Sequence, residues 1–293
     1  MPPSNPDARV ILCADDFAIS PGVSRGIEEL AALGRISATS AIVTLPRWRS
    51  EGVRLAALRR YVAIGLHVNL TVGAPLGAVA SLAPSGSFSP LKDLVARCVT
   101  GRAPDPADVA REVQRQIARF EDSTGYAPDF IDGHQHVHVL PGIRQGFLLA
   151  LATRFPDGRP FVRDPSDRVT AILKRRRGAS KAMTVALLAS GFGSALRRAG
   201  FPTNHGFSGF SRFSRAEGYG EELESFFRCA GSGHLIMCHP GYPDPQLARL
   251  DPVVARRRDE LVALRKAPDL PKRIWHVGDR SGDDGGLAWP AAA

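Results

Sequence analysis

Four short segments of this sequence gather the side chains that bind cations and move protons. They are Ala14-Asp15-Asp16-Phe17, Gly65-Leu66-His67-Val68-Asn69-Leu70-Thr71, Asp132-Gly133-His134-Gln135-His136-Val137-His138 and Met237-Cys238-His239-Pro240-Gly241. Two adjacent carboxylates at the end of an apolar run cannot both be buried cheaply as anions, because like charges in a low dielectric raise one pKa. A divalent cation beside them would resolve the conflict. His134, His136 and His138 recur at a spacing of two, which in an extended segment puts all three rings, with Asp132, on one face; a helix would scatter them. Imidazole and carboxylate suit zinc or another divalent ion, and an open site needs about three protein ligands plus water. One Asp with two His would supply that set. Blander readings exist for the parts: Asp15-Asp16 as a helix N-cap and salt bridge, and His67, His205, His234 or His276, each taken alone, as structural or solvated.

The elements that must position these groups alternate along the chain. Val10 to Ala14 reads as a buried parallel strand that stops at the carboxylates. Ser20-Pro21 opens a helix that carries Val23, Ile27, Leu30 and Ala31, with Gly34 as its stop. Ala38 to Leu45 reads as strand two, Ala56 to Arg60 as the end of a helix, and Tyr61 to Leu66 as strand three, ending at His67. The Gly/Pro/Ser-rich stretch 71–90 is expected to form a lid or binding edge. Helices are expected over Leu91 to Val99, Pro106 to Asp122 and about Pro141 to Arg154. Strands are expected at Asp129 to Asp132, Phe161-Val162, Leu235 to Cys238 and Ile274 to Val277. Strand and helix alternation with polar clusters at strand ends predicts an α/β fold, a (β/α) barrel with mostly parallel strands, which would bring all four segments to one rim.

The chain has 293 residues, of which 44% are hydrophobic and 23% charged, so disorder, collagen and a disulfide mini-scaffold are excluded. We expect one catalytic domain over 1–293, with residues 279–293 as an irregular C-terminal tail. No stretch of about 18 apolar residues occurs, and Met1 to Asp7 lacks the regions of a secretion signal; a soluble, cytoplasmic protein is expected. Cys13, Cys98, Cys229 and Cys238 have no metal-finger spacing and read as buried thiols. The net charge of +9 includes Lys174 to Arg177 and Arg256 to Arg258, read as solvated helix faces or as a patch for anionic partners. The apolar run Ala182 to Leu196 with its basic flanks reads as a barrel helix or lid segment; the alternative is peripheral membrane contact through 174–198. No nucleic-acid-binding motif is present.

The four segments, in this order and at these distances, resemble the YdjC-like carbohydrate deacetylases, a family that includes chitooligosaccharide deacetylases and hopanoid-biosynthesis-associated deacetylases. The resemblance spans roughly residues 9 to 245 and implies a (β/α) barrel-like deacetylase fold. It also implies one divalent metal ion, magnesium or zinc, on Asp16, His67 and His134, with Asp15 as general base and His239 as general acid. Asp132, His136, His138 and Asn69 match positions expected to support the ligands or touch substrate. Ala18 stands where the family commonly has Gly, which puts a positive φ in that loop in question, and Gly133 stands where Ser is frequent.

The reaction implied is hydrolysis of the N-acetyl group of an amino sugar, a chitooligosaccharide or related N-acetylglucosaminide, with release of acetate. His239 would need a neighbouring carboxylate to keep its proton, with Asp132 or Asp164 as candidates. Phe17, Trp48, Phe88, Phe207, Phe210 and Tyr242 are candidates to stack on a pyranose ring. Competing readings are a lipid-linked amino sugar as substrate, a phosphoesterase or amidohydrolase holding a second metal on Asp132, His136 and His138, and a non-catalytic sugar-binding protein. A homodimer is compatible with all of them.

Overall fold

The computed structural model describes residues 9–156, 160–211, 218–279 and 289–290. The expected N-terminal reading on Met1 to Asp7, and most of the expected tail, lie outside them. The strands are β1 (Ile11–Phe17), β2 (Ala38–Ala41), β3 (Ala63–Val68), β4 (Phe130–Gly133), β5 (Phe161–Val162), β6 (Phe207–Ser208) and β7 (Leu235–Cys238). They form one sheet in the order β5-β4-β3-β2-β1-β7-β6, with every pairing parallel. Thr203, just ahead of β6, bridges back to Val162 of β5, so the sheet curls toward a barrel. Parallel strands need crossovers, and helices supply most of them: α1 (Pro21–Ala32), α2 (Trp48–Leu58), α3 (Leu91–Val99), α4 (Pro106–Thr124), α5 (Ile143–Arg154), α6 (Val169–Arg175), α7 (Ala179–Leu188), α8 (Phe192–Arg198) and α9 (Tyr219–Phe227). After β7 come α10 (Leu247–Leu250), α11 (Ala255–Lys266) and α12 (Leu270–Arg273).

Strand periodicity divides the core in two. Leu12, Ala14, Ile64, Leu66, Ile131, Val162 and Ile236 pack outward under the helices. Ile11, Cys13, Ala63, Phe130, Phe161, Leu235 and Met237 pack inward. Continuing the inward rows by two residues reaches Asp15, Asp132, Arg163 and His239, and by four from Ala63 reaches His67, all at the carboxyl ends of strands. The opposite end of the barrel holds Trp289, stacked 4.5 Å from Phe161 and 5.2 Å from Trp275.

Several expected elements differ. Strand two stops at Ala41; Ile42, Val43 and Leu45 beyond it are buried outside the strand, and a buried loop and a strand share the same apolar signature. Ile274 makes only a bridge to Val10, because β1 already pairs with β2 and β7, and Val277 enters a 3₁₀ turn. The run 182–196 is two helices, broken where Gly191 takes φ 76°. α5 begins at Ile143, after Gly142 at φ 82°. β6 was not foreseen: it has two residues, set between Gly206 and Gly209, both at φ 112°. Cys13, Cys98 and Cys238 are buried, but Cys229 is exposed. Arg256 and Arg257 are buried, contrary to a solvated basic face.

Candidate active site

Adjacent residues of a strand point to opposite faces, so Asp15 and Asp16 can reach one site only if the backbone departs from a regular strand. Asp16 takes φ 71°, and the pairing of β1 with β2 shifts register between Ala14 and Phe17. A bulge of this kind re-aims a side chain. Ala18 also takes φ 71°, so this loop adopts the left-handed conformation without the glycine.

The two carboxylates have separate surroundings. Both oxygens of Asp15 accept from Arg163, each at 2.6 Å. Burial opposes its ionisation, yet the guanidinium holds the carboxyl well below the usual carboxylate range. Asp16 faces imidazoles: Oδ1 lies 2.9 Å from His134 Nδ1 and 3.3 Å from His67 Nε2, while Oδ2 accepts from Arg257 at 2.6 Å. It too is buried, and Arg257 and His134 keep it ionised.

His67 is held from behind. Its Nδ1 lies 2.6 Å from Asp132 Oδ1 and 3.0 Å from Ser40 Oγ. With Nδ1–H donated to Asp132, the Nε2 lone pair faces the Asp16 carboxylate, a repulsive arrangement unless a cation lies between them. A proton serves in the free protein: burial disfavours charge on His67, but Asp132 and Asp16 outweigh it and push the pKa up to about 10. A metal ion would serve equally, since one ligand atom from each of Asp16, His67 and His134 lies within 4.8 Å of the other two. Charge points the same way. Four carboxylates (Asp15, Asp16, Asp132, Asp251) share two guanidiniums (Arg163, Arg257), and in the free protein the His67 proton offsets part of the remaining negative charge. The donor set therefore fits one divalent ion.

The His134–Val139 segment is not extended. It forms a 3₁₀ turn with Gln135 at φ 54° and His136 at φ 59°, so the three rings diverge. His134 reaches Asp16. His136 is buried among Phe207 and Phe210, at ring distances of 5.6 and 5.3 Å, with Nδ1 unpartnered. Burial and Arg163 hold its pKa well below the ordinary value. His138 points away, its Nε2 on the Arg163 carbonyl at 3.0 Å, and burial brings its pKa down to about 4. Gly133 makes room for it, since a Cβ there would meet His138 Nδ1 at 2.5 Å. Asp132, His136 and His138 therefore do not converge as a second metal set. The second acidic group, Asp15 with Asp132 and Cys13, already holds Arg163.

A cavity of about 500 Å³ opens over Asp15, Asp16, His67, His134, His136 and His239. Its other walls combine apolar side chains, Leu91 and Val95 of α3 and Val185 and Leu188 of α7 among them, with Lys181 and Thr184 of α7 and with Gln135, Asp251 and Arg257. The segment 182–196 thus contributes a wall through α7. Residues 71–90 do not line it: the Leu76 amide donates to Glu112 and Ser81 is held by Asp108, pinning that loop on α4. Asn69 braces the same loop through Thr44 and the Val72 carbonyl and lies outside the cavity lining. Nor do the aromatic candidates line it. Phe17, Trp48, Phe88, Phe207 and Phe210 are core, and Tyr242 donates to Glu29.

His239 follows β7, its backbone N–H donating to Glu260 at 2.6 Å. Burial lowers its pKa to about 4; the carboxylates that oppose this are Asp16, Asp15 and Asp251, with Arg257 acting the other way. The expected neighbours differ: Asp132 is engaged by His67 and Arg163, and Asp164 lines another cavity. Arg163, Arg257, Asp251 and Ser40 were missed from sequence. Arg163 carried a readable signal, as the residue that ends the Phe161-Val162 run; Arg257 was hidden in a basic cluster.

The model of the YdjC-like protein family matches residues 9–269. The chain belongs to that family. This YdjC-like chain is 31% identical over 252 residues to a mouse (Mus musculus) protein named carbohydrate deacetylase, covering 81% of this chain and 79% of that one. It is 32% identical over 274 residues to a chitooligosaccharide deacetylase of Serratia marcescens, covering 87% and 94%. Among solved structures, an Enterococcus faecalis protein named for cellobiose-phosphate cleavage superposes with a TM-score of 0.68 at 22% identity, over 92% of this chain and 96% of that one. That likeness bears on the fold.

Proposed function

We propose that this YdjC-like protein is a metal-dependent carbohydrate deacetylase that hydrolyses the N-acetyl group of a chitooligosaccharide or related N-acetylglucosaminide and releases acetate. The observation that carries the reading is the split between neighbouring carboxylates: Asp15 clamped by Arg163, Asp16 turned to two imidazoles. The names of the relatives supply the substrate class.

Asp16, His67 and His134 would hold one magnesium or zinc ion. When bound, the ion would supply polarisation of the amide carbonyl and a lower pKa for the attacking water. Asp15, kept ionised and oriented by Arg163, takes the proton of that water. The carboxyl so formed is strongly acidic, and His239 is a neutral imidazole within its electrostatic reach. The proton passes from Asp15 to His239 and from there to the departing sugar nitrogen. His239 thus acts as general acid with a proton acquired during turnover. Arg163, bonded to Asp15 and Asp132 together, fixes both carboxylates without entering the proton path. The apolar wall from α3 and α7 suits the C–H faces of a pyranose and keeps bulk water from the reacting bond.

The test is acetate release from N-acetylglucosamine oligomers, with and without chelator. Asp15→Asn is expected to retain its metal and lose turnover by about 10²- to 10⁴-fold, whereas His134→Ala loses both. Undiminished turnover by Asp15→Asn, or by chelated wild type, refutes the assignment.

A further inference from the structure

The charge of this chain is concentrated in one place. Residues 165–200 include Arg168, Lys174, Arg176, Lys181, Arg197 and Arg198, with Arg175 and Arg177, against Asp167 as their single acid. That is a net +7 of the chain's +9. These residues build α6, α7 and α8, and α6 packs on α7. Arg175 is internal, paired with Asp167 at 2.6 Å, and Arg177 pairs with Glu221. Arg168, Lys174, Arg176, Arg197 and Arg198 are exposed, whereas Lys181 lines the active-site cavity with Val185 and Leu188.

The same surface exposes large apolar side chains. Val169 and Leu173, one turn apart on α6, are 54% and 57% accessible, and Leu187 of α7 is 77% accessible. Val169 and Leu187 line a common cleft of about 600 Å³. α7 buries only Ala182 fully; its opposite side, Val185 and Leu188, walls the active-site cavity. Single exposed apolar side chains are ordinary, as Leu33, Val53, Val99 and Leu149 are elsewhere, but here three share a surface with a cluster of cations, and a nucleic acid, which rewards stacking aromatics, offers them nothing. An anionic bilayer accommodates both, with apolar side chains below the headgroups and cations among the phosphates.

We propose that the α6–α8 surface docks this protein on an anionic lipid bilayer, with Val169, Leu173 and Leu187 entering the headgroup boundary. α7 then lies between lipid and active site. Binding is read without turnover, so its failure is separate from that of the deacetylase reading.

The experiment is co-sedimentation of the full chain with phosphatidylcholine vesicles, with or without one third phosphatidylglycerol. Binding is expected to the anionic vesicles only. Lys174→Gln with Arg198→Gln is expected to weaken it about 25-fold, near fivefold per charge. Leu173→Asp with Leu187→Asp is expected to weaken it by about 100-fold or more, with unchanged circular dichroism, since both leucines are exposed. Failure of the wild type to sediment with anionic vesicles overturns the proposal. So does equal binding by wild type and the leucine variant, which would reduce the patch to a generic polycation.

Discussion

Gly65 of β3 stands opposite Phe130 of β4, and the next inward pair along the same two strands is His67 with Asp132. A Cβ built on Gly65 would lie 2.5 to 2.7 Å from three atoms of the Phe130 ring. The ring is 1% accessible and cannot swing into solvent. Gly65→Ala must therefore move backbone or force the ring off its rotamer, at about 1–3 kcal/mol. With a shift of roughly 2–4 °C per kcal/mol for a chain of this size, the melting temperature should fall by about 2–12 °C. The whole cost then lies in one contact, so removing the ring must remove the cost. Phe130→Leu alone should lose about 1–2 kcal/mol as a cavity, and the double variant should be more stable than the sum of the two by about 1–3 kcal/mol. Urea denaturation of the four proteins measures that coupling. A coupling below about 0.5 kcal/mol, the scatter of independent sites, would show that Gly65 is not there to admit Phe130.

Two further perturbations probe the electrostatics. Arg163→Met leaves Asp15 and Asp132 buried without their shared cation and should cost about 3–5 kcal/mol; adding Asp132→Asn should recover part of it, and a double variant no more stable than the single would contradict the pairing. His234, 1% accessible and bonded to Ser208, has its pKa brought down to about 3 by burial and nearby arginines. Below the unfolded value near 6.5 the unfolded chain takes up a proton that the folded chain refuses, so stability falls as pH drops from about 6.5 toward 3. Wild type should lose stability relative to His234→Gln over that window, by up to about 1.4 kcal/mol per pH unit; a pH-independent difference would refute the assignment.

The parts of the fold that were legible are those where local pattern and tertiary role coincide. Leu235 to Cys238 and Phe161-Val162 are apolar runs with polar ends, and both are parallel strands. Val109, Val113, Ile117 and Phe120 recur at helical spacing and are all buried on α4. Where a backbone takes a minority conformation the pattern misleads. Alternation of His134, His136 and His138 promises one face only if the chain stays extended, and two successive residues at positive φ break that condition. Such strained positions cost about 1–3 kcal/mol each and persist when surrounding packing over-determines them; here Phe207 and Phe210 grip His136 and the Arg163 carbonyl holds His138. The arginines escaped for a different reason. Composition treats a guanidinium as surface, and only assembly of the barrel mouth shows that Arg163 and Arg257 lie among carboxylates from β1, β4 and the segment after β7.

That placement explains how two chemically identical neighbours acquire different surroundings. A regular strand would send Asp15 inward and Asp16 outward, toward the helices. The bulge at Asp16 brings both to one end of the barrel, and there each would repel the other were the cations shared at random. Instead each carboxylate has its own guanidinium, from β5 for Asp15 and from α11 for Asp16. The bonding differs in a way that matters: Arg163 takes both oxygens of Asp15, whereas Arg257 takes Oδ2 of Asp16 alone and leaves Oδ1 to the histidines. A carboxylate with one oxygen unclaimed by arginine and two imidazoles beside it has the donor arrangement that the proposed metal site calls for. One gripped at both oxygens is a fixed anion that can hold a proton only briefly, which would suit the base of the proposed reaction.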